Sequence, residues 1–152
     1  AHLHLAAQIK SRSMKRIYQV LVNGNPPETG RIEAPIGRHP VERKKMAVVA
    51  NGKPAATNYR TLEPFSGYAL LEARLESGRT HQIRVHFSYL GYPVVGDPVY
   101  GRKKQLVPIR GQALHAAILG FIHPRTSAYL EFSKTMPDEM QKAVDWCRRD
   151  SI

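Results

Sequence analysis

The chain has 152 residues, 42% of them hydrophobic, with 23 Lys and Arg against 12 Asp and Glu, a formal charge of +11. That length and composition fit one globular domain with its own core and exclude a disordered chain, and a positive excess spread along the sequence points to a polyanionic partner, usually nucleic acid. The lone cysteine, Cys147, excludes an intrachain disulfide and CxxC-type zinc sites, no run approaches the ~20 apolar residues of a membrane span, and the first residues lack the pattern of a signal peptide, so a cytoplasmic location is the default expectation.

Ala1 to Lys10 reads as the end of a helix, with Leu5 and Ile9 one turn apart. Neither a start Met nor an N-cap signal precedes it, and the chain is expected to begin inside a domain. Lys10, Arg12, Lys15 and Arg16 add a basic patch, which would also suit a solvated helix end. Arg16 to Val22 is rich in β-formers and reads as a strand ending at Asn23-Gly24. A second extended piece runs from Arg31 to Ile36, followed by a basic, aperiodic stretch from Gly37 to Lys45 that reads as an exposed loop. Met46 to Ala50 reads as a short strand, Asn51-Gly52 as a type I′ hairpin turn, and Ala55 to Leu62 as its partner, with Thr57, Tyr59 and Thr61 alternating. A turn from Pro64 to Gly67 then precedes a strand from Tyr68 to Glu76.

The stretch Ser77-Gly78-Arg79-Thr80-His81-Gln82-Ile83-Arg84-Val85-His86 opens a short helix, with Thr80 as N-cap and Ile83, Phe87 and Leu90 on one apolar stripe. Arg84, one position past Ile83, falls near that stripe. A guanidinium cannot shed its charge, so it needs a carboxylate or a phosphate there, and a structural ion pair would satisfy it as well as a functional one. Arg79 lies at the helix mouth, where backbone N–H groups favour anions.

A Pro/Gly-rich loop, Gly91 to Gly101, leads into a mobile basic loop with Arg102, Lys103, Lys104 and Arg110. Ala113 to Ile122 reads as a buried strand and Ser127 to Ser133 as the next. In the last helix Thr135 is the expected N-cap, Pro137 falls in the first turn, and Met140, Ala143, Val144 and Cys147 form the buried stripe. Many strands, several hairpins and three helices predict an α+β domain around a mostly antiparallel sheet. The histidines are scattered without ligand spacing, so no metal is expected.

Gly78 to His86, followed by Gly91-Tyr92-Pro93-Val94-Val95-Gly96-Asp97-Pro98-Val99-Tyr100-Gly101, closely resembles the signature of RNA pseudouridine synthases of the RluA/RluD branch. Arg16-Ile17-Tyr18-Gln19-Val20 is similar to that family's Tyr motif, Gly37-Arg38-His39-Pro40 with Met46-Ala47-Val48 and Gly52-Lys53-Pro54-Ala55 to its RluD-type segment, and Gln112-Ala113-Leu114-His115-Ala116 to its late Leu-His-Ala motif. The resemblance covers roughly Lys15 to Met140. It implies isomerisation of uridine to pseudouridine in RNA, without metal or organic cofactor, and favours large-subunit ribosomal RNA over tRNA; it leaves the oligomeric state open.

On the family's pattern an aspartate attacks the nucleoside and must stay ionised in a dry site, which makes a neighbouring Arg physically sensible. The motif match assigns that role to Arg84. Tyr18 matches the Tyr that stacks on the flipped base, although a strand Tyr can equally be core. Arg79, His81, Gln82 and Leu114 are the matching substrate-binding candidates. Arg43, Lys44, Lys45, Arg102, Lys103 and Lys104 are candidates for the RNA backbone. The family's His-Arg-Leu-Asp segment, which holds the nucleophile, has no counterpart among the 152 residues. The chain is therefore expected to be the C-terminal part of a single catalytic domain, inactive alone; the alternative is a non-catalytic RNA-binding module on the same scaffold.

Overall fold

A computed structural model describes residues 14–150; the expected helix over Ala1–Lys10 and the basic residues Lys10 and Arg12 lie outside them. Six strands form one antiparallel sheet in the order β2-β5-β6-β1-β7-β8, with β1 at Lys15–Asn23, β2 at Thr29–Glu33, β5 at Ala56–Phe65, β6 at Tyr68–Leu75, β7 at Leu114–Ile122 and β8 at Tyr129–Ser133. β3 (Ile36–Arg38) and β4 (Met46–Val48) pair separately as a small ribbon. Helix α1 (Gln82–Leu90) covers one face of the large sheet and α2 (Asp138–Asp150) the other. The α+β architecture with a mostly antiparallel sheet is as the sequence predicts, with two helices among the described residues.

A central strand covered on both faces must be apolar on both faces. β1 meets that condition with Val20-Leu21-Val22, all fully buried. Val20 and Val22 join Leu71, Ala73, Ile83 and Phe87 beneath α1, while Leu21 joins Leu70, Val95, Met140, Val144 and Cys147 beneath α2. Phe87 is fully buried and meets Tyr59 edge-on at 5.5 Å, burial worth about 1.5–3 kcal/mol for such a side chain.

Several local expectations are corrected. Asn51-Gly52 does not join β4 to β5. β4 returns along β3, with Ile36 opposite Val48, and Lys53 bridges back to Ile36. Gly52 lies so close to the Ile36 backbone that a Cβ would collide with it, so close approach decides this position rather than a hairpin register. The hairpin instead joins β5 to β6 through Ser66-Gly67, and Pro64, expected in the turn, sits within β5 opposite Ala69. Beyond Arg60 no β2 residue pairs with β5, so Pro64 removes no donor that the ladder needs on that side. β7 is a strand as expected but is only part-buried, with Leu119 41% exposed.

The cap assignments also change. His81, not Thr80, precedes α1, in the left-handed region at φ 56 and without a side-chain cap bond. Gly91, at φ 97, ends the helix with N–H bonds back to it, and Leu90 is exposed because the helix outruns the core there. In α2 the first helical bond is Gln141 N–H to the Pro137 carbonyl at 2.9 Å, placing Pro137 rather than Thr135 at the cap. Among the described residues no helix is long and apolar enough to cross a membrane.

Candidate active site

Helix α1 is buried over six consecutive residues, Gln82 to Phe87. An amphipathic stripe cannot do this; three different surfaces close on it. The large sheet takes Ile83 and Phe87, the β3–β4 side takes Val85 beside Ile36 and Ala55, and the loop after the helix takes Arg84.

That loop is pinned to the sheet. Val95 N–H bonds the Leu21 carbonyl at 2.9 Å and Ala113 N–H bonds the Val95 carbonyl at 2.9 Å, so Asp97 follows a laced segment. Asp97 is buried and grips Arg84 as a fork, Nε to Oδ2 at 2.8 Å and Nη2 to Oδ1 at 2.9 Å. Oδ1 also accepts the N–H groups of Val99 and Tyr100, at 2.9 and 3.0 Å. Burial opposes the ionised carboxylate, but the bonds from Arg84, Tyr100 and Val99 outweigh it and hold the Asp97 carboxyl below its ordinary range. The bond to Asp97 raises Arg84 in turn. Neither bond uses Nη1 of Arg84.

Tyr100 closes the arrangement, and sequence reasoning missed it. Its ring lies 5.1 Å from the Arg84 guanidinium carbon, its hydroxyl accepts Met46 N–H at 2.9 Å, and it pairs with His81 Nδ1 at 2.8 Å. His81 is exposed at the helix mouth, with its pKa pulled down by burial of the ring and by the charge of Arg84. The tyrosine thereby ties α1, β4 and the Asp97 loop together around one cation.

A second network was also missed. His86 is fully buried, with Nε2 donating to the Ala34 carbonyl at 2.9 Å and Nδ1 facing Thr57 Oγ1 at 2.9 Å. A carbonyl can only accept, so the proton sits on Nε2 and Thr57 donates to Nδ1. Burial lowers the pKa of His86 and keeps this neutral tautomer. Gln82 supplies the next link: its Nε2 donates to Ala56 O and Thr57 Oγ1, and its Oε1 accepts Ser77 Oγ and Arg79 N–H. All the capacity of the Gln82 amide is engaged within the fold.

The remaining candidates fall into two groups. Tyr18 is half-buried on β1, in register with Ala73 on one side and Ala116 on the other, so small residues flank the ring. Tyr18 and Leu114, opposite Val20, pack against the same core cluster as Ile83. Arg79 donates from Nε to the Pro54 carbonyl at 2.9 Å at the helix mouth. Arg43 and Lys44 are exposed and Lys45 is half-buried between β3 and β4, while Arg102, Lys103 and Lys104 are exposed just after Tyr100. Among the described residues no three His, Cys, Asp or Glu side chains converge as a metal site requires.

The family described as RNA pseudouridylate synthase matches residues 1–89. An RNA pseudouridine synthase of Chloroflexus aurantiacus, itself uncharacterised, is 55% identical over 137 residues, 90% of this chain and 43% of that protein. The ribosomal large subunit pseudouridine synthase D of Zymomonas mobilis is 47% identical over 93% of this chain and 47% of its own length. The chain thus spans about half the length of these relatives. Human RNA pseudouridylate synthase domain containing 1 superposes with a TM-score of 0.74 at 26% identity, covering 95% of this chain and 70% of that one.

Proposed function

This chain belongs to the RNA pseudouridylate synthase family, and on that premise we propose that it serves the isomerisation of uridine to pseudouridine in RNA, with large-subunit ribosomal RNA as the substrate. The observation that carries the reading is Arg84. It is a buried guanidinium held at two of its nitrogens by Asp97, on the helix within the family motif, and neither of those bonds uses Nη1. In the proposed site an attacking carboxylate stays ionised beside Arg84, and Tyr18 offers its ring to the extruded base.

That carboxylate is not one of the chain's aspartates. Asp97 is already held by Arg84 and two N–H groups, and Asp138, Asp145 and Asp150 belong to α2 on the other face of the sheet. We assign the nucleophile to residues outside these 152, and the isolated chain is then inactive.

The RNA partner is testable on the protein itself. Phosphate contacts release counterions, so log affinity for RNA is expected to fall linearly with log salt. Replacing Arg43, Lys44 and Lys45 together by Ala is expected to weaken binding to unrelated sequences alike and to reduce the slope by roughly one for each cation that touches a phosphate. Fluorescence anisotropy across a salt series measures both, and affinity independent of salt would remove RNA as the partner.

A further inference from the structure

A cleft of about 290 Å³ opens between the β3–β4 ribbon and α1, close to the lower limit of small-molecule sites at about 300–1,000 Å³ and large enough for one base. Tyr100 is the wall it shares with Arg84: the same ring lines the cleft and lies against the guanidinium. Tyr89 and Val99, 63% and 43% exposed, present apolar surface there, and His39 and Lys45 supply polar groups. The two chain segments that reach the cleft carry further exposed basic residues next to its lining in sequence, Arg38, Arg43 and Lys44 beside His39 and Lys45, and Arg102, Lys103 and Lys104 after Tyr100. Glu42 is the one acidic residue in these two segments, and Lys45 pairs with it at 2.8 Å.

The cleft wall is preorganised. His39 Nδ1 accepts the N–H groups of Val41 and Glu42, at 3.2 and 3.0 Å, and Arg38 Nη1 donates to the Arg43 carbonyl at 2.9 Å. With Nδ1 accepting, the neutral ring carries its proton on Nε2, and no described residue takes that donor. We propose that this cleft is a subsite for one unpaired RNA nucleotide other than the target uridine. Its base stacks on Tyr89 and accepts from His39 Nε2, and its phosphate meets Lys45. The apolar surface suits a base face, the surrounding charge suits the phosphates, and an aromatic platform within a cationic surface is how single strands are held.

The proposal rests on RNA being the partner, and the test separates the two. Oligouridine and an abasic oligomer of equal length are bound to the wild type and to Tyr89→Ala over a salt series. Because Tyr89 is exposed, its truncation spares the core. Tyr89→Ala is expected to lose roughly ten-fold in oligouridine affinity at every salt concentration, with unchanged slope and unchanged abasic binding, and Tyr89→Phe to retain the affinity. Lys45→Ala is expected to lower the slope by about 0.7 and to keep the preference for bases. Salt-dependent oligouridine binding that Tyr89→Ala leaves intact overturns the subsite while RNA remains the partner. Failure of the wild type to bind either oligomer at low salt overturns both.

Discussion

Asp97→Ala is expected to lower folding stability by about 3–5 kcal/mol, because it leaves the Arg84 guanidinium buried without its partner. It also removes the acceptor for Val99 and Tyr100 N–H, so the loop that closes over α1 loses its anchor. A loss of that size lowers the melting temperature by roughly 10 °C in a domain of this length. Replacing both partners by apolar residues, Arg84→Met with Asp97→Leu, is expected to cost far less than the sum of the single changes, since no charge then remains buried. The pH dependence has a definite sign. Asp97 titrates below its ordinary range in the fold, so its contribution is complete above the unfolded carboxylate pKa of about 3.9 and fades as pH falls through the folded value. The gap between wild type and Asp97→Asn is therefore expected to narrow below about pH 4. Equal stability of the two at neutral pH, measured by urea unfolding, would mean that the fork is solvated.

Arg84→Lys is expected to abolish most turnover in a protein that carries the nucleophilic carboxylate, by on the order of 10²-fold or more, while RNA affinity stays nearly unchanged. Lysine keeps the charge but offers one nitrogen, which cannot hold Asp97 at two points and also face a second carboxylate. The loss is expected in single-turnover rate rather than in RNA binding, because the proposed phosphate contacts at Arg43, Lys44 and Lys45 do not involve Arg84. Full single-turnover activity in Arg84→Lys would remove Arg84 from the chemistry and leave it a structural ion pair.

The burial of Arg84 was legible because a charge beside an apolar helical stripe has few alternatives. Its partner was not, since Asp97 lies thirteen residues on, past a loop whose path depends on Leu21 and Ala113. The His86 relay was hidden for the same reason: Thr57 and Ala34 are 29 and 52 residues away in sequence. Alternation and turn chemistry marked out most of the strands and hence the fold class. They failed at Asn51-Gly52, where the approach of Gly52 to the Ile36 backbone set the pairing. Thr80 looked like a cap because caps are read from residue type. In the fold the Gln82 side chain already satisfies Arg79 N–H, and His81 turns left-handed into reach of Tyr100.

Tritium release from RNA labelled at carbon 5 of uridine tests the account most directly, because rejoining the base through carbon expels that hydrogen. The 152-residue chain is expected to release none, and the same chain extended through an upstream His-Arg-Leu-Asp segment is expected to turn over. Release by the 152 residues alone would contradict the assignment of the nucleophile, and no release by the extended protein on ribosomal RNA would contradict the proposed reaction.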